Sequence, residues 1–338
     1  MEFTLKIERY DPDTDQGRLQ EFTVDAPETA TLLDVLDVVK DTVDGSVTYR
    51  KSCRMAVCGS CGMRMDGAAV LACKTPMAPL AEEGRVPVIS PMGNLPVIKD
   101  LVVDMDPFWA KFKAVKPWLE EDDRPPVKEW RVQQEELDRV MTEALCIQCG
   151  CCVSECNSME ADPDFLGPAA LAKAARFVND VRDRGGKSRL EIYNGPHGVW
   201  DCTRCYFCNQ RCPKGVHPRD AIAKVGAAIY QEGMHSDGGA RHAKVFVKST
   251  HQTGYLLETH LVPETVGPVN AIKEIPFALR LARAGKVPNP LKPHKAKKLD
   301  EVRKLNKLIE SQEQATLEAA NAGPTRPPAD PAQAKESE

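Results

Sequence analysis

The sequence lacks a surplus of basic charge: 45 Lys and Arg stand against 49 Asp and Glu, a net charge of −4. Nucleic-acid binders normally carry a basic domain, so no nucleic-acid partner is expected. It also lacks any apolar run approaching the roughly 18 residues that span a bilayer. Residues Met1 to Glu8 have neither the basic region, the apolar region nor the cleavage site of a secretory signal. A cytoplasmic location is therefore expected, with membrane contact made through partner subunits. No G-x-G-x-x-G follows a strand, and no Ser/His/Asp or paired-carboxylate constellation stands out, so no dinucleotide or hydrolytic site is read. The seven histidines show no ligand spacing with one another. What the sequence does have is cysteine. There are 13, an odd number that excludes a complete intramolecular disulfide framework. In a reducing compartment such clusters bind metal or catalyse.

The first hundred residues read as β-rich. Phe3, Leu5 and Ile7 alternate with polar residues, Phe22 and Val24 fit a returning strand, and Asp11 to Gly17 supply turn chemistry. Thr31 to Val43 has helical spacing, with Thr31 as N-cap. Strand, hairpin, helix and cysteine loop is the order of a β-grasp domain. Helices are expected at Asp106–Phe112, Glu129–Leu145, from Gly167-Pro168, and after Pro218 carrying Ala221, Ile222, Val225 and Ile229. The fold class is thus α+β. The expected partition is a β-grasp domain over 1–105, a helical domain with two cubane-type clusters over 106–240, a partner-packing extension over 241–308 with weak helical patches, and a disordered tail over 309–338.

Twelve cysteines fall into three groups. The first is Cys53-x4-Cys58-x2-Cys61 with Cys73 following, the plant-type spacing for a [2Fe–2S] centre. Gly59 and Gly62 are expected to let backbone N–H groups approach the sulfurs. A zinc site is the alternative, but structural zinc usually takes C-x2-C pairs on both sides. The second group is Cys146-x2-Cys149-x2-Cys152-x3-Cys156, and the third is Cys202-x2-Cys205-x2-Cys208-x3-Cys212-Pro213. Both follow the bacterial run in which the fourth cysteine serves the other cluster. The pairing is therefore crossed: Cys146, Cys149, Cys152 and Cys212 for one [4Fe–4S] centre, and Cys202, Cys205, Cys208 and Cys156 for the other. Cys151 lies outside this register and reads as a small buried apolar residue.

At these residues the chain resembles the iron–sulfur subunits of succinate dehydrogenases and fumarate reductases, over roughly Met1 to Gly233. The resemblance extends to Tyr49 through Arg54, Leu71 through Cys73, Pro96 through Asp104, Lys116 through Leu119, Phe165 through Ala169, and Cys212 through Pro218. It implies an electron relay that takes electrons from FAD in a separate flavoprotein subunit, where the catalytic site lies. They pass through [2Fe–2S], [4Fe–4S] and a third centre to a membrane-associated or Cys-rich quinone-reactive subunit.

Departures from the family pattern matter too. The second position of the third group, commonly not cysteine, is Cys205, so the third centre can be [4Fe–4S] rather than [3Fe–4S]. The common proline after the last cysteine of the second group is Asn157, the tryptophans beyond it are absent at Ser158-Met159-Glu160, and a usual histidine is Thr203. Past Gly239, the segments around His242, Phe246, Ser249, Gly254 and Gly285 look like the small iron–sulfur subunit of heterodisulfide reductases. That likeness implies an atypical class with such an extension. Three readings remain: a succinate:quinone oxidoreductase subunit, a thiol:fumarate or heterodisulfide-type reductase subunit, and a zinc-binding interaction module.

Overall fold

The computed structural model describes residues 1–120, 129–234, 238–286 and 294–321. The fold is α+β, as expected. Its first compact unit gathers Met1–Glu120, Leu137–Asp180 and Pro196–Val225; a second unit holds the remaining described residues.

The first unit begins with the expected hairpin. Strand β1 (Glu2–Asp11) turns at Asp15, which holds a φ of 52°, and returns as β2 (Gln16–Asp25) with Phe3 opposite Val24 and Leu5 opposite Phe22. Alternation puts Phe3, Leu5 and Ile7 on one face, all essentially buried. Helix α1 (Leu32–Val38) starts where Thr31 caps it. The Thr31 hydroxyl accepts from Asp34 N, and the Asp34 carboxylate accepts from Thr31 N, so two orphan donors are satisfied reciprocally.

Strands β3 (Gly62–Met65) and β4 (Ala68–Leu71), the short α2 (Ala78–Glu82) and β5 (Val88–Ser90) follow. The sheet order is β2-β1-β5-β3-β4, with β1 and β5 parallel and the other pairs antiparallel. A second hairpin, β6 (Val97–Lys99) and β7 (Val102–Val103), carries Asp100 at its tip. Asp100 is 2% exposed and accepts from Arg9 Nε at 2.9 Å, Thr48 N at 2.9 Å and Tyr10 N at 3.1 Å. A charge buried that deeply persists because it is paired and fully hydrogen-bonded.

The helices that follow are α3 (Asp106–Ala114), α4 (Gln134–Ala144), α5 (Cys151–Ser154), α6 (Asn157–Ala161), α7 (Gly167–Val178), α8 (Gly186–Asn194), α9 (Phe207–Arg211) and α10 (Pro218–Gln231). Four were expected; α4 begins five residues later than the periodicity suggested. Helix α8 was not expected, for a physical reason. Its buried face carries Arg189, 0% exposed, whose guanidinium donates to Asp183 at 2.6 and 2.8 Å, so the apolar period is broken by a paired charge.

In the second unit the weak patches become sustained helices: α11 (Gly238–Thr253), α12 (Glu258–Val266), α13 (Pro268–Lys273), α14 (Ile275–Arg283) and α15 (Leu299–Asn321). Helix α11 buries Ala240, Val245, Ser249 and Thr253. Lys248 pairs with Glu264 of α12 at 2.7 Å, and Arg303 of α15 donates to the His251 carbonyl at 2.9 Å. Helix α15 runs through residues 308 and 309, where the tail was expected to begin. Residues 322–338 of that tail lie outside the described residues. Among the described residues no helix is long and apolar enough to cross a membrane.

Candidate metal centres

All thirteen cysteines are free of disulfides. Cys53, Cys58 and Cys61 of the first group sit on the loop before β3, and Cys73 follows β4. Arg54, Ala56 and Gly59 adopt left-handed backbone conformations, with φ of 58°, 55° and 75°. Alternating handedness turns successive N–H groups inward, a concavity that suits anionic sulfur. Met55 N, Val57 N and Cys58 N lie 3.3–3.4 Å from Cys53 Sγ, and Ala56 N lies 3.3 Å from Cys73 Sγ. These amides do what was expected of Gly59 and Gly62. Gly62 N instead donates to the Gly59 carbonyl at 3.3 Å, within the loop.

Cys61 is buried at the entrance to β3, and its carbonyl accepts from Ala72 N at 3.1 Å, next to Cys73. The Ser60 hydroxyl, 3.1 Å from Cys58 Sγ, pulls that exposed thiol down to about 6. Burial pushes Cys61 up to about 11. Around the loop, Asp37 accepts from Lys51 at 2.7 Å and also from Tyr49 and Arg54. Tyr49 and Arg54 thereby brace the segment that presents Cys53.

The second and third groups share one local design. In the second, Gln148 and Gly150 have φ of 56° and 80°; in the third, Arg204 and Tyr206 have 58° and 67°. Each pair stands two and four residues after the first cysteine of its run. Each leads into a short helix, α5 or α9. Left-handed conformation at Arg204 and Tyr206 costs roughly 1–2 kcal/mol per residue, a strain that functional sites tolerate.

Two clefts result. Cys146, Cys149, Cys152 and Cys212 line one, with Ile147, Ala169, Lys214 and Val216. Cys156, Cys202, Cys205 and Cys208 line the other, with Ser158, Thr203, Tyr206 and Arg219. Each cleft thus brings together three cysteines of one run and the last cysteine of the other, the crossed set read from the spacing. Ser158 Oγ accepts from Thr203 N at 3.1 Å, tying the runs together at two of the positions that depart from the family pattern.

Burial raises the thiol pKa at Cys146, Cys152, Cys156, Cys202 and Cys208, the last to about 12, and neighbouring cysteines add to the rise. Thiols raised in this way do not ionise together unaided; a coordinating cation deprotonates them. Cys149 shifts the other way, lowered to about 7 by its hydrogen bond with Cys151. The donor set, four sulfurs per site in a largely apolar wall, therefore fits iron–sulfur centres. Lys214 and Arg219, one cation per cleft, offset the excess negative charge of a thiolate-ligated centre.

Cys151 is buried as expected from the sequence, but two features were missed there: the core that Cys151 joins, and the pairing of His197. Cys151 is fully buried, and it joins the core built by Phe3, Leu5, Leu36 and Met63. Its chain neighbour Cys152 faces a metal cleft while Cys151 anchors the run to the β-grasp core. His197 Nδ1 lies 2.7 Å from Asp162 Oδ2 and 4.0 Å from Asp201, an exposed ion pair that raises the histidine pKa through its hydrogen bond with Asp162.

Comparison with known proteins agrees with this geometry. A family model described as a 2Fe-2S iron-sulfur cluster binding domain matches residues 4–110, and one described as a 4Fe-4S dicluster domain matches residues 144–216. The chain is 42% identical over 223 residues to a fumarate reductase iron-sulfur subunit of Mycobacterium tuberculosis, covering 65% of this chain and 90% of that one. It is 35% identical over 318 residues to an 8-methylmenaquinol:fumarate reductase iron-sulfur subunit of Wolinella succinogenes, covering 92% of this chain and 99% of that one. A rice mitochondrial succinate dehydrogenase iron-sulfur subunit is 39% identical over 228 residues, 66% of this chain and 80% of the relative. Among solved structures, a chain of the Mycobacterium smegmatis Sdh1 complex superposes with a TM-score of 0.61 at 24% identity, over 69% of this chain and 97% of that one, which shows a shared fold.

Proposed function

The chain belongs to the iron–sulfur subunits of succinate dehydrogenases and fumarate reductases, and from that premise we propose that it relays electrons between FAD in a flavoprotein partner and a quinone-reactive partner. The observation that carries the relay is the composition of the two clefts, each a complete set of four cysteines drawn crosswise from two runs. Under this reading Cys53, Cys58, Cys61 and Cys73 hold [2Fe–2S]. Cys146, Cys149, Cys152 and Cys212 hold [4Fe–4S], and Cys156, Cys202, Cys205 and Cys208 hold the third centre. Such centres supply one-electron storage when bound. The chain's own part is to donate thiolates, to aim amides at Cys53 and Cys73, and to keep water from the buried sulfurs.

The match that covers 92% of the chain must run well into the segment past Gly239, and that relative is a quinol:fumarate reductase subunit. It favours quinone chemistry over a heterodisulfide-type reaction. With that relative matched over 92% of the chain, we read the extension as a segment that packs on a partner subunit, leaving the chain peripheral to the membrane. With Cys205 in the second cleft, four cysteines are available for the third centre, which supports [4Fe–4S].

The test is the intact complex purified without air. Iron and acid-labile sulfide should accompany a flavoprotein subunit, and succinate should reduce the centres through that subunit. In the same preparation Cys205→Ser should create a three-iron EPR signal that the unmodified protein lacks. Zinc in place of iron would overturn the relay. A three-iron signal already present, and unchanged by the substitution, would overturn the four-iron third centre.

A further inference from the structure

Gly59 has no side chain where the first cysteine loop meets the second. A Cβ there would stand 2.8 Å from both Cys149 Cα and Cys149 Cβ, and 3.1 Å from the Ile147 carbonyl. Ordinary carbon–carbon contacts are about 3.5–4.0 Å, so any side chain forces the loops apart by roughly 1 Å. The contact is clamped from several sides. Arg64 Nε donates to Glu155 at 3.0 Å and Ser154 Oγ at 3.1 Å, and Asn94 Nδ2 donates to the Val153 and Cys156 carbonyls at 2.8 and 3.0 Å. Cys151 is sunk in the β-grasp core. Gly62 adds a second close approach: a Cβ there would lie 3.1 Å from the Cys149 carbonyl.

We propose that Gly59 is a positioning residue: its missing side chain sets the closest approach of the first and second centres, and with it the ease of electron transfer between them. The inference rests on the ligand reading above, in which Cys58 and Cys61 flank Gly59 on one centre and Cys149 holds the next. Tunnelling falls exponentially with separation and magnetic dipolar coupling falls with its inverse cube, so both respond to a shift of this size.

The test uses the full complex carrying Gly59→Asn. Asparagine tolerates the left-handed φ of 75° at this position, so backbone strain is kept low while the Cβ collision is retained. Gly67→Asn is the control, since Gly67 has a φ of 76° and open space around it. With both centres reduced, the unmodified protein and the control should show a [2Fe–2S] signal broadened by its paramagnetic neighbour and hard to saturate. Gly59→Asn, with unchanged iron and sulfide, should show a narrower signal that saturates at lower power. Gly62→Ala, free of the φ constraint, should shift the same way by less. A fully loaded Gly59→Asn with unmodified line shape and saturation overturns the inference. So does failure of both Gly59→Asn and Gly62→Ala to load iron when the control loads, because glycine would then be needed to build a centre and not to space it. Absence of the two iron–sulfur signals from the unmodified complex would instead sink the ligand reading.

Discussion

The two units solve the same problem, burying apolar surface, to different extents. In the first, Phe3, Leu5, Ile7, Leu32, Leu33 and Ile89 are at most 1% exposed around a closed core. In the second, Val269 is 75% exposed, Ile272 65% and Phe277 51%. Contiguous exposed apolar residues mark an interaction site in a soluble chain. The first unit buries its apolar residues within itself, and the second leaves several of its own at the surface. The difference teaches that a core built to carry cofactors holds its geometry without a partner subunit, whereas an extension can leave part of its folding free energy to assembly.

The largest effect should come from breaking the first unit at its metal. Cys152→Ala removes a buried thiol that the proposed function assigns to the second centre, and a whole structural metal site contributes on the order of 10 kcal/mol to folding. The variant should lose that centre's iron, and amides of α5, α7 and α10 should exchange rapidly. The β-grasp sheet should stay protected, because its apolar core does not depend on that cleft. Hydrogen exchange that is unchanged in α5 and α7 would show the helices to be held without metal.

A smaller effect tests the first unit without touching iron. Arg9, 6% exposed, donates to Asp100, Asp44, Gln20 and Ser46. Arg9→Met strands the buried Asp100 and should cost about 3–5 kcal/mol. Asp44 adds a pH signature. Hydrogen bonds from the Ser46 hydroxyl, the Ser46 amide and Arg9 hold its carboxyl well below the usual range. A depressed carboxyl contributes stability above its unfolded pKa of about 3.9, and that contribution is lost as pH falls through the folded value. The gap between unmodified protein and variant should therefore be widest above pH ~4 and narrow below it in denaturant titrations. A gap independent of pH would remove Asp44 from the network.

How much of this was visible beforehand depended on whether the signal was local. The Thr31 cap, the hairpin and the three cysteine groups are written in consecutive residues, and each appears where the spacing put it. The Arg9–Asp100 pair is not, because its members lie 91 residues apart and only the fold joins them. Helix α8 was hidden by Arg189, a charge on a buried face. The meeting of Gly59 with Cys149 is likewise invisible in either motif alone. Cys151 was readable as buried, but not that it belongs to a core built mainly from residues a hundred positions earlier.

The smallest effect on the chain itself should come from the second unit, and it sharpens the contrast most. Phe277 on α14 is half-exposed, with Arg280 5.8 Å from its ring and Ile275 and Leu279 exposed on the same helix. Phe277→Asp removes no core contact, so the isolated chain should keep its stability within about 0.5 kcal/mol. In the complex, a buried aromatic anchor is worth about 2 kcal/mol or more. Since about 1.4 kcal/mol is tenfold in affinity, association with the partner subunit should weaken at least some 25-fold. Iron content and EPR line shapes should remain those of the unmodified protein, because every cysteine of the proposed centres lies in the first unit. The measurement is native mass spectrometry across a dilution series, read beside the thermal midpoint of the chain alone. If dilution dissociates both complexes at the same concentration, this apolar face is not the one a partner covers, and the second unit is complete as it stands.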